Sequence, residues 1–161
     1  MGVPDKDGTY LSSHIDTVIL WAILDESDDP DLRERARTLV TRRGSPPYRV
    51  CHTAVGETFT GICLERPNSL EMASHHFNEY LNRRGRIEIF GVPRESSEDL
   101  HRLIIRLHDA DPQLDPIDAI ILGTACIDEE CTNFYTNDRI LLESIRIKEI
   151  ARQYHTRIQA F

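Results

Sequence analysis

Tyr10-Leu11-Ser12-Ser13-His14-Ile15-Asp16-Thr17-Val18-Ile19-Leu20-Trp21-Ala22-Ile23-Leu24 is the stretch on which the fold turns. Tyr10 to Ile15 reads as a short first strand, and the apolar run Val18 to Leu24 is long enough to begin a buried helix. One acid, Asp16, stands where the strand gives way to the helix. Three later stretches repeat the arrangement: Thr53 to Thr58 around Glu57, Asp115-Pro116-Ile117-Asp118, and Tyr135-Thr136-Asn137-Asp138. Strands alternating with helices predict an α/β protein, a three-layer α/β/α sandwich with a mostly parallel central sheet. In such a sheet, acids at successive strand-to-helix junctions can converge in the crevice beyond the carboxyl ends of the strands.

The other elements follow from periodicity and caps. Asp31 to Val40 predicts a helix with Leu32, Ala36, Leu39 and Val40 on one face, ended by Gly44-Ser45-Pro46-Pro47. Tyr48 to Cys51 is a second strand, and Thr53 is the expected N-cap of a helix running to Pro67. Asn68 or Ser69 caps the next helix, which carries Leu70, Ala73, Phe77, Tyr80 and Leu81 and closes at Gly85. Arg86 to Val92 alternates like a strand. Ser96 and Asp99 form an approximate capping box for a helix with Leu100, Leu103, Ile104 and Leu107 inward. Asp115 caps a helix with Pro116 at its first position, apolar nearly all round and therefore central. Asn133 to Thr136 is a strand, Asp138 opens a short helix, Ile145 to Ile150 reads as a last strand, and a surface tail or partner-dependent helix is expected from Ala151.

A chain of 161 residues suits one domain, spanning 1–161 with a polar leader and a tail from about 151. No apolar stretch approaches the roughly 20 residues that span a bilayer. Met1 to Tyr10 carries Asp5 and Asp7 where a signal peptide needs basic and then apolar residues, so a cytoplasmic protein with no membrane contact is expected. The four cysteines, Cys51, Cys63, Cys126 and Cys131, read as reduced thiols. Cys126 and Cys131 lack a histidine at finger spacing, and His75-His76 reads as helix surface. A net charge of -8 argues against bulk electrostatic attraction to nucleic acid but leaves a nucleic-acid substrate open. Arginines cluster at Arg33, Arg35, Arg37, Arg42, Arg43 and at Arg83, Arg84, Arg86. Each cluster is either solvated helix surface or a phosphate-contacting rim. Trp21 and Phe59 sit inside apolar runs and read as core, not as platforms for stacking bases. No phosphate-cradling glycine loop is present.

Each acid also has a purely structural reading. Asp16, Asp115 and Asp138 could be N-caps, and Asp118 could serve the dipole of its helix. Glu57 fits that account less well, because it lies a turn beyond Thr53 among apolar neighbours, and a carboxylate on a buried stripe wants a partner. Clustered carboxylates repel unless some protonate or a cation joins them.

Taken in order, the four stretches resemble the PIN-domain family, the VapC-like metal-dependent ribonucleases in particular. Ile15-Asp16-Thr17 with its helix looks like the opening motif of that family, and Ala54-Val55-Gly56-Glu57 looks like its glutamate helix. Asp118 to Ala125 is similar to its third acidic segment, and Tyr135-Thr136-Asn137-Asp138 to its closing Thr-x-Asp turn. The resemblance covers roughly Tyr10 to Ile150, although Val18 follows Thr17 where asparagine is frequent. It implies that Asp16, Glu57, Asp118 and Asp138 hold Mg²⁺ or Mn²⁺ and catalyse hydrolysis of RNA, leaving a 5′-phosphate. Thr136 or Asn137 would orient a ligand or water, and Asp115 would be a helix cap first and an outer supporting group second. The resemblance further implies an RNA substrate, an antitoxin protein as partner, and self-association as a homodimer. The alternatives are a PIN-like module that binds a protein or RNA without cutting, and a metal-dependent phosphatase.

Overall fold

Five strands pair in parallel in the order β3-β2-β1-β4-β5: β1 Ser12–Ile15, β2 Tyr48–Cys51, β3 Ile87–Phe90, β4 Cys131–Thr136 and β5 Arg157–Ala160. The computed structural model describes residues 11–24, 26–42, 45–83 and 85–161. The expectations for the leader 1–10, with Tyr10 as a strand residue, and for Asp25, Arg43, Gly44 and Arg84 lie outside the described residues. Two helices fill each crossover. They are α1 Thr17–Ile23 and α2 Pro30–Thr41, α3 His52–Glu65 and α4 Leu70–Asn78, α5 Ser97–Ala110 and α6 Pro116–Ile127, and α7 Arg139–Glu143 and α8 Ile145–Gln153. β2 and β3 lie to one side of β1, and β4 and β5 to the other. Right-handed crossovers therefore put α1 to α4 on one face of the sheet and α5 to α8 on the opposite face. Accordingly α1 packs on α2 and α3, and α5 packs on α6 and α8. The result is the three-layer α/β/α sandwich, with a sheet that is parallel throughout.

A parallel sheet is covered on both faces, so its strands are short and mostly buried. Ile15, Val50, Ile87 and Phe134 meet Ile19, Leu20, Ile23 and Ile62 from one set of helices and Leu103, Leu107, Ile121 and Leu122 from the other. The apolar helix α6 is central as expected, with Ala119 and the run Ile121 to Cys126 buried. Among the described residues no helix is long and apolar enough to cross a membrane.

Several local expectations are corrected. The N-cap of α3 is Cys51, whose Sγ accepts from the Ala54 N–H at 3.4 Å, so Thr53 lies inside the helix. The strand runs straight into the helix there and leaves no loop in which Thr53 could cap. Ser96 occupies the N-cap position of α5 but makes no side-chain cap bond, because a 3₁₀ turn over Arg94–Ser96 already holds its backbone in helical geometry. Ile145 to Ile150 is not a strand but most of α8, whose buried residues Ile147 and Ala151 are four apart. The segment beyond Ala151 is not a tail: Arg157–Ala160 forms β5 and pairs with Asn133 to Thr136 of β4.

The arginine clusters are partly committed to the scaffold. Arg86 donates to the carbonyls of Val40, Ser45 and Arg42, at 2.7, 3.2 and 2.6 Å, and so satisfies the open carbonyl end of α2. Arg35 donates to the Phe161 carbonyl at 3.1 Å and lies over that residue's ring.

Candidate active site

The chain departs from β1 toward β2 on one side and reaches β4 on the other, so the crevice between the carboxyl ends of β1 and β4 is the topological switch point of the sheet. Open α/β sheets bind ligands at such points. Asp16 follows β1 directly and is only 4% exposed. Its Oδ1 accepts from the Thr17 N–H at 2.7 Å, which caps α1, and its Oδ2 accepts from the Thr136 hydroxyl at 2.5 Å. Thr136 ends β4 and is fully buried. Its Oγ1 accepts in turn from the Asp138 N–H at 2.9 Å, while Asp138 caps α7 by accepting from the Leu141 N–H at 2.9 Å. One hydroxyl thus ties the acid of the first junction to the turn of the last.

The other two acids come from facing helices. Glu57, in the second turn of α3, accepts from the Thr17 hydroxyl at 2.5 Å. It does not sit on a buried stripe: Ala54, Thr58 and Ile62 form that stripe, and Glu57 projects beside it as an exposed side chain. Asp118 lies in the first turn of α6 and is part-buried. Asp16, Glu57, Asp118, Asn137 and Asp138 line one cavity of about 370 Å³ together with Thr17, Val18 and Trp21. Asp115 is not among its walls. It is exposed and caps α6, accepting from the Ile117 N–H at 2.7 Å.

Burial and crowding set the charge of this cavity. Burial raises the Asp16 carboxyl to about 6, against the hydrogen bonds from Thr136 and Thr17, with Glu57 and Asp138 adding to the rise. Burial again comes first at Asp118, followed by the charges of Asp16, Asp138, Asp115 and Glu57, and together they push it up to about 7. These acids repel one another at neutral pH. Carboxylate and amide oxygens are the only strong ligands in the walls, a donor set that suits a hard divalent ion such as Mg²⁺ or Mn²⁺ better than zinc. Among the described residues no three Asp, Glu, His or Cys side chains stand ready as a closed cage. Mg²⁺ needs none, since it commonly binds through one or two carboxylates and keeps several waters.

Two features escaped the sequence reading. Trp21, read as core, does pack against the core but is also a wall of the acidic cavity. A buried polar network sits elsewhere in the sheet. Asp128, 4% exposed, accepts from Arg49 at 2.8 and 2.9 Å and from Ser12 at 3.2 Å, and its Oδ2 lies 2.8 Å from His14 Nε2. Burial works to raise the Asp128 carboxyl, yet the bonds from His14 and Arg49 outweigh it and hold it down at about 2. Burial lowers the His14 imidazole, which keeps it neutral and donating through Nε2. The available signal was a histidine and an arginine inside apolar strands, paired in register as His14 and Arg49.

A larger cavity of about 820 Å³ beside β4 and β5 has Lys148, Arg152, His155 and Arg157 in its walls and no acid. Chemistry rather than size therefore marks the switch-point cavity as the candidate site. None of the described arginines of either cluster contributes to the walls of that cavity.

No family model matches the chain, and no curated protein matches it. Among solved structures, it is similar to a chain of the VapBC2 assembly from Rickettsia felis, solved bound to a DNA fragment from their promoter. The TM-score is 0.63 at 11% sequence identity, over 93% of this chain and 98% of that one. At that identity the likeness is one of fold, and it runs through the whole sandwich rather than through one motif.

Proposed function

We propose that this chain is a Mg²⁺- or Mn²⁺-dependent endoribonuclease, the toxin of a toxin–antitoxin pair. The observation that carries the reading is the meeting of four acids in one cavity at the switch point of the sheet, Asp16 and Asp138 from the β1–α1 and β4–α7 junctions and Glu57 and Asp118 from the helices α3 and α6. Single caps do not require their side chains to share a cavity. Asp16, Glu57, Asp118 and Asp138 would hold the ion. A bound divalent ion lowers the pKa of a coordinated water and offsets charge on the phosphoryl and leaving oxygens. The chain's own groups supply preorganisation. Thr136 fixes the Asp16 carboxylate, Thr17 fixes Glu57, and the Asn137 amide faces the cavity as a donor for a phosphate oxygen or water. Hydrolysis would leave a 5′-phosphate. An antitoxin partner and a homodimer belong to the same proposal, and the similarity to an assembly named VapBC2 favours the first.

The test is calorimetric titration of Mg²⁺ and Mn²⁺ into wild type, Asp16→Asn and Asp118→Asn, with RNA cleavage assayed on the same samples. Loss of metal uptake and of cleavage together, in variants that keep their circular dichroism, is the expected result. Cleavage retained in a folded double variant would overturn the mechanism. A wild type that neither takes up metal nor cuts would return the acids to helix caps.

A further inference from the structure

The acidic cavity does not end at its acids. A second cavity of about 400 Å³ shares Thr17, Trp21 and Glu57 with it and continues to Glu26, Ser27, Asp28, Gly61, Glu65 and Arg66. The two make one groove between α1 and α3. Thr17 and Trp21 lie a turn apart on one wall, and Glu57, Gly61 and Glu65 occupy successive turns on the other. Trp21 is the large apolar surface common to both halves.

Its position is fixed by a glycine. A methyl group added at Gly61 would stand 2.7 Å from Trp21 Cζ3 and 3.3 Å from Cη2, so the six-membered edge of the indole rests against bare helix backbone. Glycine inside a helix costs about 1 kcal/mol relative to alanine. At Gly61 that cost coincides with a site where any side chain would displace the ring. The indole is thus held in one place, packed against the core on one side and open to the groove on another.

We propose that Trp21 is the platform on which a nucleobase of the RNA stacks, next to the phosphate held at the acidic cluster. The inference rests on the nuclease reading of that cluster. Stacking on an aromatic ring is how proteins hold single-stranded bases. The charge of the groove sets which part of the strand enters. Beyond Trp21 the walls carry Glu26, only 4% exposed, together with Glu65, while the charge of Asp28 is paired with Arg66. These carboxylates repel a phosphate but leave an uncharged base free to enter. They accept hydrogen bonds, as carboxylates do from the exocyclic amino group of cytosine. Adenine, cytosine and guanine carry such a group, whereas uracil offers only its single ring N3–H, so the groove favours amino-bearing bases.

Trp21 is the single tryptophan of the chain, so its fluorescence reports the event directly. Hexa-adenylate and hexa-uridylate RNA are mixed with the full chain in Mg²⁺ by stopped flow, before turnover. Affinity is read in parallel from the anisotropy of labelled RNA for Trp21→Ala and Trp21→Phe. Hexa-adenylate is expected to quench the emission and hexa-uridylate to bind more weakly. Trp21→Ala should weaken hexa-adenylate binding by about 5- to 150-fold, the range set by loss of one stacked base. Trp21→Phe, which keeps a ring in the core, should recover most of it. Normal cleavage by wild type without quenching, and with affinity unchanged in Trp21→Ala, would overturn the platform while leaving the nuclease standing. Quenching by RNA in a wild type that neither binds metal nor cuts would support the platform and remove the nuclease. A hexa-arginine peptide that quenches where neither RNA does would overturn the proposal by assigning the groove to a cationic segment.

Discussion

Asp16 and Asp128 are both buried carboxylates, and their surroundings send them in opposite directions. Burial raises the Asp16 carboxyl, its two neutral donors, Thr17 N–H and Thr136 O–H, do not offset that rise, and the acids Glu57 and Asp138 add to it. Asp128 accepts from Nη1 of the charged Arg49 guanidinium through both oxygens and is bonded to His14, and these outweigh its burial and hold its carboxyl down at about 2. The first faces other acids, and the second has a cation beside it. Asp128→Ala would leave His14 buried without its partner, while Arg49, 20% exposed, would keep Glu130 and Glu88. The expected cost is therefore that of an unsatisfied buried group, about 1–3 kcal/mol, and not of a stranded buried charge. Urea unfolding should show a loss of that size, with a smaller loss for Asp128→Asn, which keeps shape and one acceptor. The sign in pH follows from the depressed carboxyl: its stabilisation is complete above the ordinary value of 3.8 and is lost as pH falls toward about 2. An unchanged midpoint in Asp128→Ala would refute this. Asp16 was legible because it follows an apolar strand and precedes an apolar helix. Asp128 was not, because His14 lies 114 positions away and Arg49 79, and only sheet register brings them together.

At the scale of elements, the most misleading segment was the last. Ile145-Arg146-Ile147-Lys148 alternates perfectly, which reads as strand, yet the pattern that wins is the helical pair Ile147 and Ala151. Four residues of alternation cannot outvote a turn-to-turn stripe once the next four are included. The true final strand, Arg157–Ala160, is hard to read because an edge strand keeps only one paired neighbour and a half-exposed pattern. Its role is nonetheless structural. β5 pairs with β4 from Asn133↔Arg157 to Thr136↔Ala160, and so supports the strand whose end carries Thr136. Ending the chain at His155 would remove β5 together with Thr156, which is fully buried, and so open the β4 edge. For a chain of this size each kcal/mol is worth about 2–4 °C, so a drop in Tm of roughly 10 °C is expected, with aggregation on size exclusion. A truncated chain that melts like the full one would show that β5 is dispensable.

For the whole molecule, strand order brings the junction acids Asp16 and Asp138 side by side, and the packing of α3 on α6 adds Glu57 and Asp118 to make a cluster. The cost of clustering is charged to global stability. Asp16 and Asp118 bind protons more tightly folded than unfolded, with carboxyls at about 6 and about 7 against 3.8. Between about pH 4 and 7 the folded state therefore holds more protons than the unfolded state, and stability falls as pH rises through that window. His14, whose imidazole is lowered, acts in the opposite sense and withdraws stability as pH falls below 6.5. The comparison that isolates the cluster is wild type minus Asp118→Asn, because the variant keeps His14 and removes one repelling charge. Metal-free wild type should lose Tm relative to that variant as pH is raised from 4.5 to 7.5. Millimolar Mg²⁺ should reverse the slope, since an ion that binds only the folded state stabilises it by mass action and meets less competition from protons as the acids ionise. Chelation should restore the original slope. A difference curve that stays flat in pH, with and without Mg²⁺, would mean that the four carboxylates share a cavity without sharing a charge.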